Sequence, residues 1–263
     1  MFWISVPLIV GLSASWAAAD VLYSNFGTGL SFDTNVSDAY FINQSEFSET
    51  TMPCPASLSC EPPTTIAAQF QSSVNATFTE AQLPLFLTSF NTGPNTLDVY
   101  LESDSSGSPG SIIAGFELTN LLTSTPGVVQ VGSAFAGVTL ISGSSGNPAL
   151  NANTPYWLAV YAPDAGTVAA WSWNPNCVFD PVSGTFSGCD IGSSSDLAFN
   201  IIPSPTGPWT PAPGVPRPAF EIDGTPVVTP PSTVPEPGDG ILFGTGLLAL
   251  WLLRRRLQAA SAR

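Results

Sequence analysis

Histidine and lysine are both missing from this 263-residue chain. A serine or cysteine nucleophile normally needs one of them as its base, so hydrolysis by such a pair is excluded. Imidazole-ligated metal centres are excluded with it. Arginine supplies all five basic side chains, and four of these follow Leu253. Between Asp20 and Pro235, 17 acids face a single cation, Arg217. Such a body cannot neutralise phosphates, which rules out nucleic acid as a partner, and an anionic lipid surface repels it. Charge of either sign is scarce, at 9% of residues, so Ser, Thr, Asn, Gly and Pro must form most of the polar surface. The glycines lie in Ser- and Pro-rich stretches, without the strand–Gly–helix context of a phosphate loop or a dinucleotide fingerprint. No cofactor and no metal are expected.

Carboxylates are the one catalytic device this composition allows. A glycosidase holds two of them about 5–9.5 Å apart across a cleft. Nothing in the sequence singles out such a pair, so no catalytic residue is assigned and the chain is read as non-enzymatic. A carboxylate-dependent glycan hydrolase stands third among the functional readings. The acidic stretch Glu102-Ser103-Asp104-Ser105-Ser106-Gly107-Ser108-Pro109-Gly110 is not a calcium loop, which needs several acids at alternate positions and a Gly at the sixth place. It reads as a long hairpin connection rather than a two-residue turn. Asp104 can bind its own backbone there, with Gly107 and Gly110 supplying positive φ.

The two ends of the chain carry the strongest signals. Residues 2–16 are largely apolar, and Ala17-Ala18-Ala19 precedes Asp20. That is a secretory signal peptide over residues 1–19, cut after Ala19. It departs from the usual pattern in lacking a Lys or Arg before the apolar stretch. At the other end, Pro235-Glu236-Pro237 leads into an apolar run over 241–253 (ILFGTGLLALWLL), followed by Arg254, Arg255 and Arg256. An apolar helix can enter a bilayer, and a basic clamp holds its far end on the cytoplasmic side. Thirteen residues span only about 20 Å as a helix, against roughly 30 Å of hydrocarbon. Gly244 and Gly246 weaken the helix further. The run therefore suits a temporary stop better than a permanent anchor.

This tail, residues 235–263, resembles the PEP-CTERM sorting signal of Gram-negative bacteria. The match falls on Pro235, Glu236, Pro237, the helix 241–253 and the Arg-rich end 254–256. The resemblance implies recognition by exosortase, a membrane transpeptidase with a Cys nucleophile that removes the helix. It implies an exported protein, transiently inserted in the inner membrane and then released to the cell surface or the extracellular matrix. The Pro-, Val- and Thr-rich stretch 225–237 reads as an extended spacer.

The body, residues 20–224, is long enough for one large β domain with a real core. Helix signals are scarce and strand signals many. Runs at 21–23, 66–70, 76–78, 83–90, 97–101, 112–118, 128–131, 135–141, 156–161, 168–173, 197–202 and 218–222 are separated by Gly, Pro, Ser and Asn clusters. Leu97, Val99 and Leu101 share one face. Phe116 and Leu118 point inward and Glu117 outward, while 156–161 is apolar on both faces and reads as a central strand. The expected fold is all-β, with about ten to twelve strands in an antiparallel β-sandwich of jelly-roll type. The N-terminal signal peptide and one short C-terminal hydrophobic helix complete it.

Four cysteines, Cys54, Cys60, Cys177 and Cys189, imply disulfides in an oxidising compartment. Three pairings are open; short loops close at least entropic cost, which favours Cys54–Cys60 and Cys177–Cys189. Their spacing does not fit zinc. Among the aromatics, Trp171 and Trp173 share one side of a strand, and Trp157 and Tyr161 one side of another. Trp157, Trp171 and Trp173 are assigned to the core between the sheets. Trp209, in Pro208-Trp209-Thr210-Pro211, is the candidate glycan contact, and a carbohydrate-binding module is the second functional reading.

The body is similar to the choice-of-anchor R domain, a bacterial extracellular domain joined to various surface-anchoring tails. The pieces are residues 21–27 (VLYSNFG), 97–101 followed by 103–110 (SDSSGSPG), 155–158 (PYWL), 169–173 (AAWSW) and 219–222 (AFEI). Stretch 45–65 and the second Cys loop look like insertions. No established activity comes with this resemblance. The leading expectation is a secreted, non-catalytic surface or exopolysaccharide-matrix protein of biofilm type, with a structural or adhesive role.

Overall fold

Alternation decides where the strands lie. Leu97, Val99 and Leu101 alternate with Asp98, Tyr100 and Glu102, and the strand carrying them, β5, runs Thr96–Asp104. The three aliphatics are fully buried on one face, because a β-strand turns successive side chains to opposite sides. The structure is a computed structural model that describes residues 19–35, 39–44, 65–175, 178–180, 185–188, 196–200 and 204–228. All strand pairs are antiparallel. One sheet joins β1 (Asp20–Ser24), β16 (Glu221–Pro226), β4 (Ala76–Leu87), β11 (Val168–Ser172) and β2 (Ala39–Asn43). Two short strands, β7 (Gly127–Val131) and β9 (Ala149–Leu150), also pair with β4. The second sheet has the order β15 (Thr210–Pro211), β14 (Leu197–Asn200), β3 (Thr65–Gln71), β10 (Pro155–Tyr161), β5, β6 (Pro109–Thr119), β8 (Val138–Leu140). A separate hairpin pairs β12 (Val178–Asp180) with β13 (Thr185–Ser187).

The core lies between the two sheets. Ile66, Ala68 and Phe70 of β3, Leu158 and Val160 of β10, and the three aliphatics of β5 meet Phe78, Leu83 and Leu85 of β4, Trp171 of β11 and Ile222 of β16. The Trp171 indole N–H donates to the Ala219 carbonyl at 2.7 Å, so its polar atom is satisfied inside the core. Phe220 stacks against Tyr23 at 4.8 Å and meets Trp171 edge-on at 5.9 Å. Arg217 lies over the Tyr23 ring, 5.4 Å from its centroid, and donates to the Gln69 carbonyl. The single cation of the body is thus used in packing.

The expected all-β class and antiparallel sandwich are found. Strand β10 sits centrally, between β3 and β5, and Glu117 faces outward while Phe116 and Leu118 are buried. Runs 76–78 and 83–90, read as separate, form the single strand β4. A bulge explains the mistake: Glu80 opposes Asp223 and Phe78 opposes Gly224, leaving Thr79 as an extra residue. The bulge resets the alternation, so Phe78 and Ala81 both face the core. The expected run 135–141 is found only as the short strand β8, while β2 was not expected, and β9, β12, β13 and β15 are two or three residues each, too short to show a period. The connection after β5 is a correction too. Strand β6 begins at Pro109, and Ser105 N–H donates to Ser108 O at 2.8 Å. Ser106 and Gly107, at φ 56° and 80°, make a tight two-residue turn of the kind that matches strand twist. Gly110 is not at positive φ and lies within β6, where an added Cβ would meet Ser105 at 3.0 Å and the Ser103 carbonyl at 3.1 Å.

Among the described residues there is no helix, and none is long and apolar enough to cross a membrane. The chain divides into two units, Met1–Val227 and Val228–Arg263; every described strand belongs to the first. Residues 1–18 of the expected signal peptide, the four cysteines, and the sorting residues Pro235, Glu236, Pro237, Arg254, Arg255 and Arg256 lie outside the described residues.

Candidate binding face

Register builds a second buried face on the far side of the second sheet. Strand β10 sets Trp157 beside Gln69 and Glu102, Ala159 beside Ala67 and Tyr100, and Tyr161 beside Thr65 and Asp98. Strand β14 adds Ala198 beside Ala67 and Asn200 beside Thr65. Directly paired residues in an antiparallel ladder share a face. The result is a floor of small residues between aromatic and acidic side chains. A Cβ added at Gly115 would meet the Tyr100 ring at 3.0 Å and Ile141 at 3.2 Å, so the missing side chain lets Tyr100 lie close to the sheet. Ala67, Tyr100, Trp157, Ala159 and Ala198 form one buried cluster, against which Ile141, Tyr161 and Trp209 pack.

Trp157 is therefore fully buried, but on this outer face and not between the sheets. Trp171 takes the place expected of it. Trp173 is buried at the end of the same strand, 5.7 Å from Tyr40 and 5.4 Å from Phe186 between ring centroids. Trp209 is half-buried, carried by a segment at the sheet edge that packs its ring against this cluster. That segment is held by β15, where Pro211 pairs with Ala198 and Thr210 with Phe199, and by Ala212 N–H donating to Leu197 O at 2.9 Å.

Four carboxylates line the face: Glu117, exposed and paired directly with Asp98, and Asp98, Glu102 and Asp104, which differ in their partners. Asp104 accepts from the Trp157 indole N–H at 2.8 Å, from Gln69 Nε2 at 3.1 Å and from the Gly107 backbone N–H at 3.1 Å. It locks the hairpin turn to two strands and has little left for a cation. Asp98 accepts from the Tyr100 hydroxyl at 2.9 Å. Burial pushes the Asp98 carboxyl up to about 6; the Tyr100 bond opposes this, while Glu117 and Asp164 add to it. Glu102 is fully buried with neither carboxylate oxygen hydrogen-bonded. Burial alone pushes its carboxyl up to about 8, so the group is held mainly neutral at pH 7.

The first sheet carries a different acidic group on its own outer face. Gln82 Nε2 donates to Glu221 and Asp223, each at 3.1 Å. Glu80 stands opposite Asp223. Burial raises the Glu80 carboxyl, and the charge and hydrogen bond of Asp223 raise it further, as does Glu221. Asp98 and Glu102 are four residues apart on one strand, about 13 Å of backbone at 3.3 Å per residue. No group of three or more Cys, Asp or Glu among the described residues can hold a metal ion.

Comparison with family models, with curated proteins and with solved structures finds no match for this chain. Of the face residues, the sequence singles out Asp104 as a turn former, Trp157 and Tyr161 as one side of a strand, and Trp209 as the candidate glycan contact. The alternation of β5 already put Asp98, Tyr100 and Glu102 on one side; what it could not show is that this side is covered.

Proposed function

We propose that this chain is a secreted, non-catalytic protein of the cell surface or exopolysaccharide matrix of a Gram-negative bacterium, sorted and processed by exosortase, with a structural or adhesive role. The observation that carries the proposal is the ordered tail, Pro235-Glu236-Pro237, the apolar run 241–253 and Arg254 to Arg256. Its short helix stops transiently in the inner membrane, with the arginines on the cytoplasmic side. The fold is compatible with two cuts. Strand β1 starts at Asp20, the residue after the expected signal-peptide cleavage, and Asp20 pairs with Gly224 near the end of β16. The chain enters and leaves the body side by side, and Val228 is 80% exposed. Both cuts then leave the described strands whole.

The lack of His and Lys supports a body without Ser- or Cys-nucleophile catalysis. We assign the sandwich to the jelly-roll type, because strands distant in sequence lie side by side, β1 with β16 and β3 between β14 and β10. Local disulfides Cys54–Cys60 and Cys177–Cys189 belong to the same proposal. The test is intact mass of the protein recovered from the outside of the native cell. Material that begins at Asp20 and ends near 235–237 is expected; full-length chain still embedded in the membrane refutes the sorting reading.

A further inference from the structure

We infer that the outer face of the second sheet is a binding site for a neutral saccharide, closed in this structure by the segment that carries Trp209. The inference goes beyond delivery to the surface and does not depend on how the tail is processed. It starts from five buried polar atoms without a hydrogen-bond partner: Thr65 Oγ1, Asp98 Oδ1, both oxygens of Glu102 and Trp209 Nε1. Four of them project from the outer face of one sheet, and the fifth is on the ring packed against it. A buried polar atom left unpaired costs about 1–3 kcal/mol. A face serving only as a wall would be more stable with apolar groups at these positions. A cluster of such atoms in one place fits a site whose partner comes from outside the chain.

The chemistry of that partner follows from the groups present. A single cation cannot engage both unsatisfied acids, since Asp98 and Glu102 are about 13 Å apart on the strand, and Asp104 is already bound to three protein donors. An anion would meet acids with no cation on the face. Hydroxyl groups both donate and accept, so they can pair with carboxyl oxygens, the Thr65 hydroxyl and the indole N–H together. Trp157, Tyr100 and Trp209 offer flat apolar rings for the C–H faces of a sugar, and Ala67, Ala159 and Ala198 form a floor of small side chains beneath it. The cover is lightly held: β15 is only two residues long and lies at the sheet edge. Weakly held segments of this kind open locally at low free-energy cost. Opening moves the Trp209 ring off the cluster that holds Tyr100 and Trp157.

The test is a tryptophan-fluorescence titration of the full chain in mild detergent, with cellohexaose, laminarihexaose, mannohexaose and xylohexaose as probes. Saturable binding of at least one is expected. Glu102→Leu should melt no lower than the parent and weaken that binding by about tenfold or more, as loss of a buried hydrogen bond to ligand predicts. Thr65→Val is the second variant, with a smaller loss in the same direction. Failure of all four probes would mean that water alone satisfies these atoms, and would overturn the inference. So would binding that survives unchanged in both variants.

Discussion

Glu102 gives the sharpest test of the electrostatics. Its carboxyl rises from 4.5 to about 8 through burial. An unfolded chain releases that proton near the ordinary value, whereas the folded chain keeps it to about 8. Below about pH 4.5 both states are protonated and nothing is lost. Between the two values only the unfolded state ionises, so stability falls as pH rises and levels off above about 8. At about 1.4 kcal/mol per pH unit the gap amounts to roughly 5 kcal/mol as an upper bound. Relaxation and water entry around a buried charge reduce such figures, leaving about 2–3 kcal/mol. Glu102→Gln keeps the shape and removes the titration. Denaturant unfolding should find variant and parent within about 0.5 kcal/mol at about pH 4, with the variant ahead by about 2–3 kcal/mol at about pH 9, or roughly 5–10 °C in Tm. Asp98, Glu80 and Glu221 are also raised by burial, but they titrate in both proteins and cancel in the difference. A stability difference that does not change between the two pH values would refute the reasoning.

Other outcomes follow from the same geometry. Asp104→Ala removes the acceptor shared by Trp157, Gln69 and Gly107; unfolding should show a loss of about 2–4 kcal/mol with a shift in tryptophan emission, and an unchanged spectrum would count against the Trp157 bond. Gly107→Val forces a β-branched residue to φ 80° and should destabilise by about 1–2 kcal/mol, read by thermal melting. Glu80→Gln removes one acid of the group shared with Asp223 and Glu221; stability above about pH 7 should rise slightly and that below about pH 4 should not, because Glu80 is raised and its contribution is lost as pH increases. A larger gain in acid than in base would contradict that sign.

The sequence by itself determined the class of structure and the absence of whole chemistries. Leu97, Val99 and Leu101 on one side of a strand, and the doubly apolar run 156–161, are local patterns, and a period of two survives in any β arrangement. The missing histidine and lysine need no fold to exclude what they exclude. The unsatisfied face was not legible, because covering is a property of distant segments. Glu102 falls in the stretch that the sequence reads as a hairpin connection, and only the packing of the outer face buries it beside Trp157. Trp157 illustrates the same limit: a large aromatic is expected to be buried, but which side of the sheet buries it depends on what packs there. The bulge at Thr79 concealed the continuity of β4 for a related reason, since one extra residue inverts the alternation and is fixed by pairing with β16. Tertiary structure decided burial, and burial decided which acids keep their protons.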